Sequence, residues 1–152
     1  MTTKTIVTDL SHDDLVNLIS CATSGSSWLG VDYNRREWNE LHEIMKTKDP
    51  CFEDKVADLL LANKSIVLYD TYAEDENEFY GNLPHHYDED GYMCYTITLQ
   101  DILSGLEKAG SIQNGWVQKC LRDFALDDGY NLDLSSADCL IQYIMFGDYI
   151  YG

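Results

Sequence analysis

Positive charge is scarce in this chain of 152 residues, and what there is lies unevenly. Ten lysines and arginines stand against 27 aspartates and glutamates, a formal net charge of -17 at pH 7. No lysine or arginine lies between Lys64 and Lys108, yet that stretch holds Asp70, Glu74, Asp75, Glu76, Glu78, Asp88, Glu89, Asp90, Asp101 and Glu107. None follows Arg122 either, although Asp123, Asp127, Asp128, Asp133, Asp138 and Asp148 do. Such a surface repels phosphate backbones and anionic membranes, so direct nucleic-acid and membrane binding are excluded. It attracts basic proteins, at a rate that falls as salt rises.

Long apolar runs are missing as well. None approaches the roughly 18 residues of a membrane span, and the stretch around 57–61 has the length of a core helix face. The start has no basic segment followed by an apolar one, so no signal peptide is expected. Five cysteines, an odd number without paired spacing, predict reduced core thiols in a cytoplasm and no disulfide framework. Disorder is excluded by what is present: 45% hydrophobic residues and 12% aromatics offset the ordering entropy of one ordinary domain, residues 1–152.

Periodicity predicts the elements. Ser11 is placed to cap a helix carrying Leu15, Leu18, Ile19 and Ala22 that stops before Gly25. Residues 28–33 show no clear period. A second helix is expected over 36–45, with Trp38, Leu41 and Met45 on one face. A third is expected to take Pro50 as its first residue and to turn Phe52, Val56, Leu59 and Leu60 inward. Residues 65–72 and 92–98 are rich in β-formers and read as strands of a hairpin. Thr98 then caps a helix closed by Gly110, another helix covers 114–125, and the last starts at Ser135 or Ser136 and ends before Gly147. The order predicts an α+β fold, several helices packed on a small antiparallel sheet.

Motifs of chemistry are sparse. Aligning Asp88, Asp90 and Gly91 to a calcium-loop pattern puts His86 first and Ile97 last, so both ends fail. His85 and His86 are adjacent and point apart in a loop, and Cys94 adds no second pair, so no metal site is expected. There is no nucleophile elbow and no phosphate-cradling glycine loop, so no catalytic residue and no cofactor are expected. The connection between the two strands is what remains. It is about twenty residues long, a length that is usually mobile or functional. Tyrosine suits interfaces because it supplies large contact area at low entropic cost. Tyr69 and Tyr95 are expected in the core. Glu74, Asp75, Glu76, Glu78, Tyr80, Tyr87, Asp88, Glu89 and Asp90 are the expected partner-binding residues.

The C-terminus carries Ala137, Asp138, Gln142, Phe146, Gly147, Asp148, Tyr151 and Gly152 in the pattern A-D-x-x-x-Q-x-x-x-F-G-(D/E)-x-x-Y-G. This resembles the ending of a group of small acidic phage and prophage proteins of Gram-positive bacteria. The strand at 65–70, the stretch from Thr96 to Gly105 and the Ser26-Ser27-Trp28 triplet are similar to the same group, whereas residues 72–92 are richer in acid and aromatics. The resemblance transfers no activity. It implies a phage accessory protein acting in the host-cell cytoplasm, and such proteins often bind and block a host defence enzyme of the anti-CRISPR or anti-restriction type. The expected partner is a basic, nucleic-acid-binding protein. A small phage enzyme or metal-dependent factor using the acidic loop, and a non-inhibitory assembly or regulatory protein, are the alternatives.

Overall fold

The computed structural model describes residues 7–45, 50–126 and 132–152. Within them the chain runs α1 (His12–Gly25), β1 (Leu29–Asp32), α2 (Arg35–Met45), α3 (Phe52–Leu61), β2 (Ile66–Asp70), β3 (His85–Tyr87), β4 (Met93–Ile97), α4 (Leu99–Ser111), α5 (Gly115–Leu126) and α6 (Leu134–Phe146). The class is α+β, as expected, with helices packed on a small antiparallel sheet.

Each of these helices starts at a side chain that accepts or exchanges the free N–H groups of the first turn. Ser11 Oγ accepts Asp14 N at 3.1 Å, and Asp14 takes Ser11 N in return at 2.9 Å. Thr98 and Asp101 repeat this reciprocal pair at α4. Asn34 accepts Glu37 N at α2, and Asn114 accepts Trp116 N and Val117 N at α5. At α3 the cap is Cys51 rather than a proline turn: its N–H and its thiol both donate to Asp54 Oδ2, at 3.1 and 3.0 Å. Pro50 therefore sits before the helix instead of opening it. Asp133 caps α6 by accepting Ser136 N at 2.7 Å, which moves the start ahead of the expected serines. Gly110 does not close α4. It is buried inside the last turn, and Ile112 is the C-cap. Likewise α1 continues through Gly25.

The sheet order is β1-β2-β4-β3, all antiparallel. The two expected strands pair as β2 and β4, and two further strands flank them. One face, carrying Ile66, Leu68, Met93, Tyr95 and Ile97, is buried against the helices. The register sets Leu68 opposite Tyr95 but Tyr69 opposite Cys94, so successive residues fall on opposite faces. Tyr95 is in the core as expected. Tyr69 is not: it lies half-buried on the outer face.

Helix α6 is the hub, packed against α1, α4 and α5, and it is buried nearly all round, as a central helix must be. It approaches α4 so closely that a methyl group at Gly105 would overlap the backbone of Ile144. Gly147 ends it in the left-handed region at φ 71°, with its N–H on Tyr143 O. On α2, Trp38 is buried but Met45 is half exposed, so the expected three-residue face is narrower than predicted. Among the described residues no helix is long and apolar enough to cross a membrane.

Candidate protein-interaction surface

The acidic connection from β2 to β4 is pinned along its length. Thr71 donates through both its N–H and its hydroxyl to Trp28 O, at 2.8 and 2.9 Å. Ala73 is buried, and Tyr80 N donates to the hydroxyl of Tyr95 at 3.1 Å while its ring meets Phe146 edge-on. Residues 85–87 form the edge strand β3. A tight turn follows, in which Asp88 Oδ1 accepts Asp90 N at 3.0 Å and Tyr92 N at 2.8 Å. The bond from Tyr92 N, foremost among several, holds the Asp88 carboxyl below the usual range.

The residues expected to bind a partner thus divide in two. Glu78 accepts Glu74 N at 2.7 Å, Asp75 accepts Asn77 N at 2.7 Å, and Asp88 builds the hairpin turn, so these carboxylates shape the loop. The side chains of Glu74, Glu76, Glu89 and Asp90 are exposed and accept no hydrogen bond among the described residues. Tyr80 and Tyr87 are 37% and 36% exposed, and Tyr87 donates to Glu74 O at 3.4 Å, tying the two halves of the loop together. Among the described residues, no carboxylate from 74 to 90 is in an ion pair. The field of the segment is left uncompensated at short range.

Sequence reasoning missed the surface beside it. The described helices pack on the inner face, which leaves the outer face of the sheet partly exposed. In register across it lie His86, Cys94, Tyr69 and Gly30, with Thr96, Val67 and Asp32 as the next row. Tyr69 lies over Gly30, where any larger residue would collide with its ring, and stacks on Tyr92 with centroids 5.4 Å apart. Asp32, Val67, Tyr69, His86, Asp88, Asp90, Tyr92 and Cys94 surround a shallow depression of about 300 Å³. Burial, then the neighbouring Asp88, pushes the Cys94 thiol up to about 12. It keeps its proton at neutral pH and donates to Asp88 Oδ2 at 3.5 Å instead of serving as a thiolate. His85 and His86 point to opposite faces, and His85 stacks on Phe79 with centroids 3.9 Å apart.

No protein-family model, curated protein or solved structure matches this chain.

The C-terminal pattern has a structural reading. Asp138 Oδ1 accepts Ser26 Oγ at 2.5 Å and Trp28 Nε1 at 2.9 Å, which joins the Ser-Ser-Trp triplet to α6. Gln142, fully buried, donates to Asp138 Oδ2 and Tyr151 O and accepts Ile150 N and Tyr151 N. Phe146 packs against Trp28, Tyr80, Tyr95 and Tyr151. Tyr151 donates to the buried Asp70 at 2.6 Å. The motif is a latch: it folds the tail back onto the core and anchors the acidic loop through Tyr80 and Asp70.

Proposed function

We propose that this chain is a binding protein that inhibits a basic, nucleic-acid-binding partner by occupying its phosphate-binding groove. The observation that carries the reading is the run of carboxylates at Glu74, Asp75, Glu76, Glu78, Asp88, Glu89 and Asp90, none of them ion-paired among the described residues, on an ordered scaffold. A groove that neutralises phosphates presents lysines and arginines at spacings a rigid acidic surface can meet, and the encounter is steered by charge. The resemblance of the C-terminal pattern to phage and prophage proteins supports a host restriction or RNA-guided defence enzyme as the target, met in the host cytoplasm. On this reading the protein acts by competition and does no chemistry on its target.

The test is displacement. The purified chain is titrated into a restriction nuclease and an RNA-guided nuclease, each holding labelled DNA, at low and high salt. Inhibition should be stoichiometric, reversible on dilution, and weaker at high salt because the basic groove is screened. DNA retained by both nucleases at excess chain overturns the choice of target. Permanent silencing by substoichiometric amounts, or a covalent mark on the nuclease, overturns the competitive mechanism.

A further inference from the structure

We infer that the outer face of the sheet is a docking slot for an arginine side chain of the basic partner, seated over the Tyr69–Tyr92 pair between Asp32 and Asp90; this rests on the binding role proposed above. Four observations converge. No described helix packs on this face, where Val67, Tyr69, Tyr92 and Thr96 are half-buried and Cys94 is buried, whereas the opposite face is buried under helices. The stacked tyrosines, 12° from parallel, offer aromatic surface rather than a charged carpet. Carboxylates rim it: Asp90 accepts no hydrogen bond among the described residues, and Asp32 is half exposed and uses only Oδ1, toward Tyr33 N and Arg35. The depression of about 300 Å³ sits at the small end of ligand pockets and suits one long side chain.

Charge alone would accept lysine and arginine equally. The ring pair does not. A guanidinium is planar, weakly hydrated and able to stack on an aromatic face while its edge forms paired bonds to a carboxylate, and an ammonium has none of these features. The chain already contains the arrangement in miniature, because Arg35 lies 5.1 Å from the Tyr33 ring centroid while pairing with Asp32 at 3.3 Å. The slot shares that Asp32 and repeats the chemistry at the Tyr69–Tyr92 pair, over which no cation of the described residues lies, and this is the complementarity a partner's arginine supplies.

The experiment uses the full chain and two fluorescent probes, nona-arginine and nona-lysine peptides, with binding read by anisotropy and located by amide shifts in NMR. Nona-arginine should bind about fivefold or more tighter than nona-lysine, the scale of one solvent-exposed cation–π contact. The largest shifts should fall on Gly30, Val67, Tyr92 and Cys94. Tyr92→Leu should erase the preference for arginine while leaving nona-lysine affinity within about twofold, and Asp90→Asn should weaken both peptides. If Tyr92→Leu loses its folded spectrum, Val67→Lys takes its place, since an ammonium in the slot must also abolish the preference. Equal binding of the two peptides, a preference that survives these variants, or shifts confined to Glu74, Asp75, Glu76 and Glu78 overturns the slot. The two readings fail separately: a slot that binds arginine while no nuclease loses its DNA removes only the inhibitor reading. Nuclease inhibition unchanged by Tyr92→Leu removes only the slot.

Discussion

Replacing Gln142 with leucine should unlatch the C-terminal tail, and the cost follows from its partners. Gln142 is fully buried and has both ends of its amide engaged: Nε2 donates to Asp138 Oδ2 at 3.0 Å and Tyr151 O at 2.9 Å, and Oε1 accepts Ile150 N at 2.7 Å and Tyr151 N at 2.8 Å. Leucine keeps the volume but strands two amides, a carbonyl and a carboxylate oxygen. Each orphaned buried group costs about 1–3 kcal/mol. Undocking the tail would hydrate them, but it also gives up the packing of Tyr151 on Trp28 and Phe146 and its bond to Asp70. The smaller of the two routes sets the loss, about 3–4 kcal/mol, a large share of the about 5–15 kcal/mol that stabilises a domain. For a chain of this size that lowers the melting temperature by about 10 °C. Circular dichroism reads the melt, and hydrogen exchange reads the tail, where Ile150 and Tyr151 amides should change from slow to fast. A drop below about 2 °C with both amides still protected would refute the latch.

Burial holds the Asp70 carboxyl above its ordinary range despite the opposing bonds from Tyr151 and Tyr72. An acid raised in the folded state favours folding more as pH falls from neutral toward the unfolded value near 3.8, so stability in urea should rise over that window and the rise should shrink in Asp70→Asn, the remainder coming from Asp58, which burial also raises; parallel curves for the two proteins would contradict this. Asp54, Asp88 and Asp133, held low by hydrogen bonds from Cys51, Tyr92 and Ser136, contribute in the opposite sense, and their contribution is lost only below that window. Gly105→Ala should cost about 2–3 kcal/mol because its methyl meets the Ile144 backbone, whereas Gly115→Ala, with open space around it, should be neutral or slightly stabilising. Thermal melts of the pair decide between steric and propensity effects. The triple variant Glu76→Gln, Glu89→Gln, Asp90→Asn should weaken binding of a nona-lysine peptide and flatten its salt dependence while moving the melting temperature by less than about 2 °C; unchanged affinity would place the binding surface elsewhere.

What the sequence could tell depended on whether local signals decided the element. Ser11 with Asp14, and Thr98 with Asp101, are short-range pairs, and the helices they open are where periodicity places them. Strands β2 and β4 carry their own β-formers. Strand β1 does not, because Gly30 interrupts its alternation, and the reason for that glycine is the Tyr69 ring lying across it from another strand. Strand β3 is exposed at all three residues and exists by pairing with β4, so no hydrophobic pattern marks it. Tyr69 was misplaced for a related cause: strand residues alternate faces, and only the pairing of Leu68 with Tyr95 shows which face is inside. The charge of the candidate surface was legible. Its aromatic floor was not, because Asp32 and Gly30 join Tyr69, Tyr92 and Asp90 only through that sheet register.

The acidic residues serve two ends that different measurements separate. Asp14, Asp54, Asp101 and Asp133 hold helix N-termini, Asp138 and Asp70 hold the tail, and Asp75, Glu78 and Asp88 shape the loop. Accepting a hydrogen bond does not neutralise a carboxylate; at Asp54, Asp88 and Asp133 it stabilises the charge further. The structural acids therefore still contribute to the long-range field, though replacing them would cost stability. Glu76, Glu89 and Asp90 contribute to the same field with no folding role among the described residues. Neutralising Glu76 and Glu89, which lie outside the slot, should slow association with a basic partner and reduce its salt dependence, with dissociation little changed. Removing the Tyr92 ring should do the reverse, speeding dissociation while leaving the encounter rate intact, since a ring adds short-range contact and no charge.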